Sequence, residues 1–271
     1  MYKYKFSAVL PVYKKVSIKE FKNSFYSIIN QILLPNELLI LIDGPIKENV
    51  KNFIFKKKKK YKFIKLLIFS KNNGLGYVLN KAIKKCKYNY IARCDADDIS
   101  EKSRFQLQMN FLKKNRNIDV LGSNVYEMKN NKIYSTKIMS QFHENIIRKI
   151  YFRNPINHST VFFKKKTILK AGNYEDVRFY EDYFLWFKIL KNNGVFHNLD
   201  LFLVKMKIDD NFFKRRSGLN YLEFYLFFLK KLASSNYINI FQVFFLFSIR
   251  LFLILMPLHL IKKIYRNFLR D

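Results

Sequence analysis

Glycine occurs only 7 times and proline 5 times in 271 residues, and no glycine-rich turn follows the first apolar run. Without a G-x-G-x-x-G after an early strand, a dehydrogenase is disfavoured. The glycine-free Leu10-Pro11-Val12-Tyr13 likewise counts against a sugar nucleotidyltransferase, which should open with a glycine-rich phosphate loop and a basic residue. Cysteine is rarer still. Cys86 and Cys94 stand outside any C-x-x-C pair or Cys/His cluster, which argues against a disulfide scaffold or structural zinc site and fits a reducing compartment. The apolar run ending at Pro11 is too short for a signal peptide and lacks a small-residue cleavage site, so a cytoplasmic location is expected.

Acids are few as well. Against 51 Lys and Arg stand 20 Asp and Glu, giving a formal net charge of +31. That imbalance predicts attraction to nucleic acid, nucleotide phosphates or an anionic membrane. The accompanying excess of Lys, Phe (29) and Tyr (18) also matches codon bias in an AT-rich genome, so basicity alone selects no partner. No recognised nucleic-acid-binding motif is visible, and no nucleic-acid partner is expected, although a basic nucleic-acid binder is the main non-enzymatic alternative. With 49% hydrophobic and 26% charged residues, the chain can build a buried core, as one large domain or two small ones.

The first hundred residues alternate short β-type runs with helix-type patterns. Strands are expected at 6–12, 37–42, 65–69 and 90–94. A helix opens at the capping box Ser17-Ile-Lys-Glu20 and carries Phe21, Phe25, Ile28, Ile29 and Ile32; others cover the Lys56–Lys60 run and 75–85. This alternation argues for βαβ units with right-handed crossovers, a largely parallel sheet and ligand binding at its carboxyl edge. Tyr13, Asp43, Asn72, Asn73, Asp95, Asp97 and Asp98 all fall on that edge. Further on, a helix is expected at 101–115, a hairpin at 119–128 and 132–137 around Asn130-Asn131, a strand at 159–163 and a helix at 181–192. No repeats occur.

Asp95-Ala96-Asp97-Asp98, directly after an apolar strand, can present hard oxygens to one Mg²⁺ or Mn²⁺ with substrate phosphates completing the shell. The same acids could instead cap the helix that follows. Glu181-Asp182, distant in sequence, supplies a second acid pair, or simply a favourable helix N-terminus.

The ordered set Ala8-Val-Leu-Pro-Val-Tyr13, Asp43-Gly44, Asn72-Asn73-Gly74-Leu75 with Leu79-Asn80, Asp95-Ala-Asp-Asp98, Asn157-His-Ser-Thr160, Ala171-Gly-Asn-Tyr174 and Tyr180-Glu181-Asp182-Tyr183 resembles the inverting family 2 glycosyltransferases of the GT-A fold, in the bacterial branch that builds surface polysaccharide and lipooligosaccharide. The likeness covers roughly residues 6 to 190. It implies an α/β fold, a Rossmann-like, mixed, mostly parallel sheet flanked by helices, with a helical carboxy-terminal extension. Residues 1–215 would form the transferase domain (1–100 the nucleotide half, 101–215 the acceptor half) and 216–271 the extension.

By that resemblance, Pro11, Val12, Tyr13 and Asp43 hold the nucleotide base, and Asn73 and Gly74 line the nucleotide pocket. Asp95 and Asp97, flanking Ala96, form a D-x-D element, with Asp97 as direct ligand of Mn²⁺ or Mg²⁺ and Asp95 towards the ribose or a metal-bound water. Asp98 and Arg104 act as supports, by hydrogen bonds or by pairing with phosphate. The donor is a nucleotide sugar, UDP-linked by preference, and the acceptor a glycan or lipid-linked glycan. Asp182 is the first choice for catalytic base and Glu181 the second. His158 faces the donor diphosphate or the acceptor, or is structural; Trp186 is a sugar platform or core. Two departures stand out: Ile42 replaces the first of two acids usual before Gly44, and the Gln/Arg-x-x-Arg-Trp motif of processive members is missing, which argues for one sugar per encounter. Lys214-Arg215-Arg216-Ser217 is a candidate closure over the diphosphate.

Residues 238–261 are rich in Phe, Leu and Ile, but Arg250 sits at their centre and Pro257 and His259 break the later part, against a membrane span. The expectation is an interfacial helix at the inner face of the cell membrane, with Arg250, Lys262, Lys263, Arg266 and Arg270 meeting anionic headgroups; the alternative is packing of 220–232 and the tail over the catalytic domain.

Overall fold

The computed structural model describes residues 5–208 and 219–256. Among them a nine-stranded mixed sheet runs in the order β3-β2-β1-β4-β8-β6-β9-β5, with β7 paired to β6. Its first half is the parallel βαβ unit that the sequence pattern implies: β1 (Phe6–Val12), α1 (Ile18–Ile29), β2 (Glu37–Asp43), α2 (Glu48–Lys60), β3 (Ile64–Phe69), α3 (Leu75–Lys85) and β4 (Tyr90–Arg93). Pro11 fits inside β1 because β4 pairs only as far as Val9, so the missing N–H falls where that ladder has ended. Ser17 and Glu20 form the expected reciprocal cap on α1. That helix stops at Ile29, however, and Ile32 lies beyond it, exposed.

After β5 (Ile99–Ser100), α4 (Arg104–Lys114) begins later than its pattern suggests. The hairpin of β6 (Val120–Lys129) and β7 (Lys132–Lys137) turns on Asn130 and Asn131, both at positive φ, as a tight two-residue turn requires. Following α5 (His143–Lys149), the expected strand at 159–163 is instead a 3-10 turn, His158–Thr160, leading into β8 (Phe162–Lys164). Then come α6 (Lys165–Lys170) and α7 (Glu181–Lys191). The next element, β9 (Phe196–Lys207), was not expected from the sequence pattern. It runs parallel to β6 and carries the sheet on to β5.

Alternation along the central strands feeds two cores. Val9, Leu39 and Ile91 face α3, α6 and α7; Ala8, Leu10, Ile40 and Ala92 face α1, α2 and α4. Buried Cys86 belongs to the first core and buried Cys94 to the second. The carboxy-terminal helices α8 (Leu219–Ser234) and α9 (Ile240–Leu255) extend the first core: Phe228, Leu229 and Leu232 pack with Tyr183, Phe184 and Phe187. No helix among the described residues is long and apolar enough to cross a membrane. The 215/216 boundary, Lys214 to Ser217 and the basic residues after 256 lie outside the described residues.

Candidate active site

Because β1 to β4 are parallel, the loops after them share one edge. There Asp43, almost fully buried, accepts hydrogen bonds from the backbone N–H of Asn73 (2.8 Å) and Gly74 (3.1 Å) and from the Asn72 side-chain amide (3.0 Å). These bonds lock the second loop to the third and occupy three of roughly four acceptor positions on the carboxylate, so about one remains for a ligand N–H. Gly44 makes the approach possible at φ +76°, where a Cβ would lie 2.5 Å from the Asn72 nitrogen. Pro11 and Val12 form a buried wall beneath, and Tyr13 stands partly exposed at the rim.

The acidic segment alternates as its position after a strand demands. Asp95 and Asp97 are partly exposed, while Ala96 and Asp98 point inward. Burial, reinforced by the Asp95 charge, pushes Asp97 up to about 6. Asp98 is raised well above the usual carboxylate range by the same two causes, although its Oδ1 accepts from the Lys207 backbone N–H at 2.9 Å.

Arg93, the last residue of β4, is the feature the sequence reading missed. Its buried guanidinium pairs with Asp95. Burial opposes its charge, but Asp95, Tyr174 and Asp98 more than compensate and raise its pKa. The same guanidinium lowers Asp182 electrostatically, and Tyr174 senses Arg93, Asp182, Glu181 and Asp95 together. Asp95 of the D-x-D segment and Asp182, some eighty residues apart, therefore both feel the charge of one buried cation.

Asp182, in the first turn of α7, is partly exposed and accepts from the Asn154 side-chain amide at 2.7 Å; burial raises its pKa. Glu181 is nearly buried, and desolvation pushes it up to about 7. The loop ahead of it approaches α3 closely because residue 76 is glycine: a Cβ there would collide with the Glu175 carbonyl and touch the Glu181 side chain. Asn80 holds the same loop, donating to the Tyr174 carbonyl at 2.7 Å and accepting from the Asn173 amide at 2.9 Å, so its role is structural.

His158 reaches the cluster. Its Nε2 hydrogen-bonds the Tyr174 hydroxyl at 2.8 Å, and burial, with Arg93 nearby, holds it well below its ordinary pKa and hence neutral. For two other residues the structure decides between the alternatives, against a direct ligand contact. Arg104 is 1% exposed and spends its donors internally, on the Arg93 carbonyl (2.7 Å), Ser100 (2.9 Å) and Gln108 (3.1 Å). It braces the strand end and reaches no phosphate. Trp186 is 0% exposed, edge-on to His158 and Phe196, so it offers no face to a sugar.

Residues 7–172, more than half the chain, match glycosyl transferase family 2. The chain belongs to that family. This family 2 enzyme is 32% identical over 273 residues to the Escherichia coli UDP-Gal:alpha-D-GlcNAc-diphosphoundecaprenol beta-1,3-galactosyltransferase, with 98% of each chain covered. It is 28% identical to the amylovoran biosynthesis glycosyltransferase AmsE of Erwinia amylovora, over 80% of this chain and 82% of that one. Among solved structures, S. aureus TarS 1-349 in complex with UDP-GlcNAc superposes with a TM-score of 0.65 at 17% identity, covering 84% of this chain and 66% of that one. The chain spans 40% of the longer TarS structure. At that identity the likeness establishes the fold, and the fold is GT-A.

Proposed function

We propose that this glycosyltransferase moves a sugar from a UDP-linked donor to a hydroxyl of a glycan or lipid-linked glycan, with inversion, in bacterial surface-polysaccharide or lipooligosaccharide synthesis. The observation that carries this reading is the buried Arg93, ion-paired to Asp95 and acting electrostatically on Asp182, which links a diphosphate-side acid element to a candidate base. The named substrates of the Escherichia coli relative, and the TarS complexes with UDP-GlcNAc and UDP, favour a UDP donor; that relative's acceptor favours a lipid-linked one and a reaction at the membrane.

Asp182 suits the base better than Glu181, since it is partly exposed where Glu181 is buried, and the Asn154 side-chain amide orients it. It takes the proton from the acceptor hydroxyl as that oxygen bonds to the anomeric carbon. The bond from that carbon to the diphosphate oxygen breaks, and the nucleoside diphosphate leaves with the electron pair. Pro11, Val12, Tyr13, Asp43, Asn73 and Gly74 form the nucleotide side, and neutral His158 can hydrogen-bond the diphosphate or acceptor.

No group of three or more His, Cys, Asp or Glu able to hold a metal occurs among the described residues. Asp97 and Asp95 nevertheless fit a divalent ion of the Mg²⁺ or Mn²⁺ type, which commonly takes one or two carboxylates together with substrate phosphates; they are the two partly exposed acids of the alternating segment, while Asp98 points inward. Such an ion, when bound, neutralises charge on the leaving diphosphate.

The test is a pair of variants. D182N should keep donor binding, read by thermal shift with UDP-sugar, while transfer falls about 10²- to 10⁴-fold. D97A should abolish the dependence of nucleotide-diphosphate binding on Mn²⁺ or Mg²⁺. Full turnover in D182N would overturn the assignment of the base.

A further inference from the structure

Helix α9 is apolar on both faces, and among the described residues only one face is covered. On the inner side, Val243, Leu246 and Phe247 pack on the first core at three- and four-residue spacing. Arg250 continues that row. Its guanidinium lies over Tyr221 (4.6 Å) and Tyr225 (5.3 Å), and its Nη2 donates to the Tyr180 hydroxyl at 3.4 Å. Arg250 therefore faces the protein and does not meet headgroups, contrary to the sequence expectation. What it does is fix the rotation of the helix. That rotation turns Phe241, Phe244, Phe245, Ile249 and Phe252 outward, with Phe241 80%, Phe244 65% and Phe252 64% exposed.

A helix that is hydrophobic all round is normally buried on all sides, and a contiguous exposed apolar face marks a contact surface. Charge indicates which contact. No Asp or Glu occurs between Glu223 and Asp271, whereas Lys230, Lys231, Lys262, Lys263, Arg266 and Arg270 do. A second copy of this chain, itself at +31, is repelled by such a charge balance, whereas an anionic lipid surface is attracted by it. At 16 residues α9 is about 24 Å long, short of a ~30 Å hydrocarbon core, which suits a helix lying in the interface plane.

We propose that the outer phenylalanine face of α9 docks into the boundary between headgroups and acyl chains of an anionic lipid bilayer. Because Arg250 on the inner face contacts Tyr180, the residue before Glu181, docking also sets the height of the α7 amino terminus above the lipid. The lipid-linked acceptor gives this docking its use, and in that respect it rests on the proposed reaction; the docking itself stands on exposure and charge.

The experiment uses the full chain with vesicles of phosphatidylglycerol and phosphatidylethanolamine, and with phosphatidylcholine vesicles for comparison. Wild type should sediment with the anionic vesicles, and F241S/F244S/F245S should lose about tenfold or more of that partitioning. These side chains are exposed, and an unchanged thermal shift with UDP-sugar reports that the fold is intact. The one native tryptophan, Trp186, is buried, so in F244W the added fluorescence should be quenched by brominated acyl chains. Equal sedimentation of wild type and the triple variant would overturn the proposal. So would absence of quenching, or a dimer in light scattering that the triple variant dissolves while no vesicle binding occurs. All these readouts are of lipid contact, so they can fail while D182N behaves as expected, and the converse also holds.

Discussion

Glu181 lies beside Asp182 and is nearly buried with its pKa raised to about 7, against 4.5 for a free glutamate. Between those two values the folded chain holds more protons than the unfolded one, so this group's contribution to stability is full below about 4.5 and lost as pH rises through 7. E181Q removes the titration. Urea unfolding at pH 5 and pH 8 should therefore show wild type losing up to about 3 kcal/mol relative to E181Q as pH rises. A constant difference across that range would show that Glu181 is not held in the desolvated state described. At this scale the sequence exposes acids after strands but hides their partners. Arg93 reads as one more basic residue in a basic chain, although an arginine inside the apolar run before Asp95 was the available signal. Asn154 reaches Asp182 from 28 residues away, and no local pattern encodes that contact. Arg104 and Trp186 have functional residue types but internal positions, and only burial distinguishes the two.

Helices and strands with strong periodicity were legible almost to the residue: α3 begins and ends where its apolar spacing and Asn-Gly entry place it. β9 was not, because His197 and Asn198 are buried polar side chains that break the expected alternation. Asn198 is held by the Ser140 and Pro155 carbonyls, partners distant in sequence. The contact between α3 and the loop before α7 is equally long-range, and it depends on a single missing methyl group. G76A adds helix propensity worth up to about 1 kcal/mol, yet must displace the Glu175 carbonyl. It should cost a net 1–3 kcal/mol, as overpacking roughly does, and lower kcat by shifting the entry to Glu181-Asp182. Denaturation and steady-state kinetics on one preparation check both, and a variant as stable and active as wild type would show that the loop is free to move.

Over the whole molecule, the parallel half follows from the βαβ rhythm, and the mixed second half does not, since antiparallel β8 and the return of β9 to β5 are set by pairing across long stretches of chain. The sheet separates two cores, and chance has placed one thiol in each. Burial pushes Cys86 up to about 12 and raises Cys94 as well, so both are sealed against alkylating reagents while the fold holds. Each therefore labels only when its own layer opens. Pulsed maleimide exposure along a urea gradient, read by mass spectrometry, should show both sites becoming reactive together if the two layers melt as one. If Cys86 reacts at lower urea than Cys94, the layer that carries α3, α7 and the carboxy-terminal helices loosens first, and the enzyme has a native state in which one face of its sheet can breathe while the other stays shut.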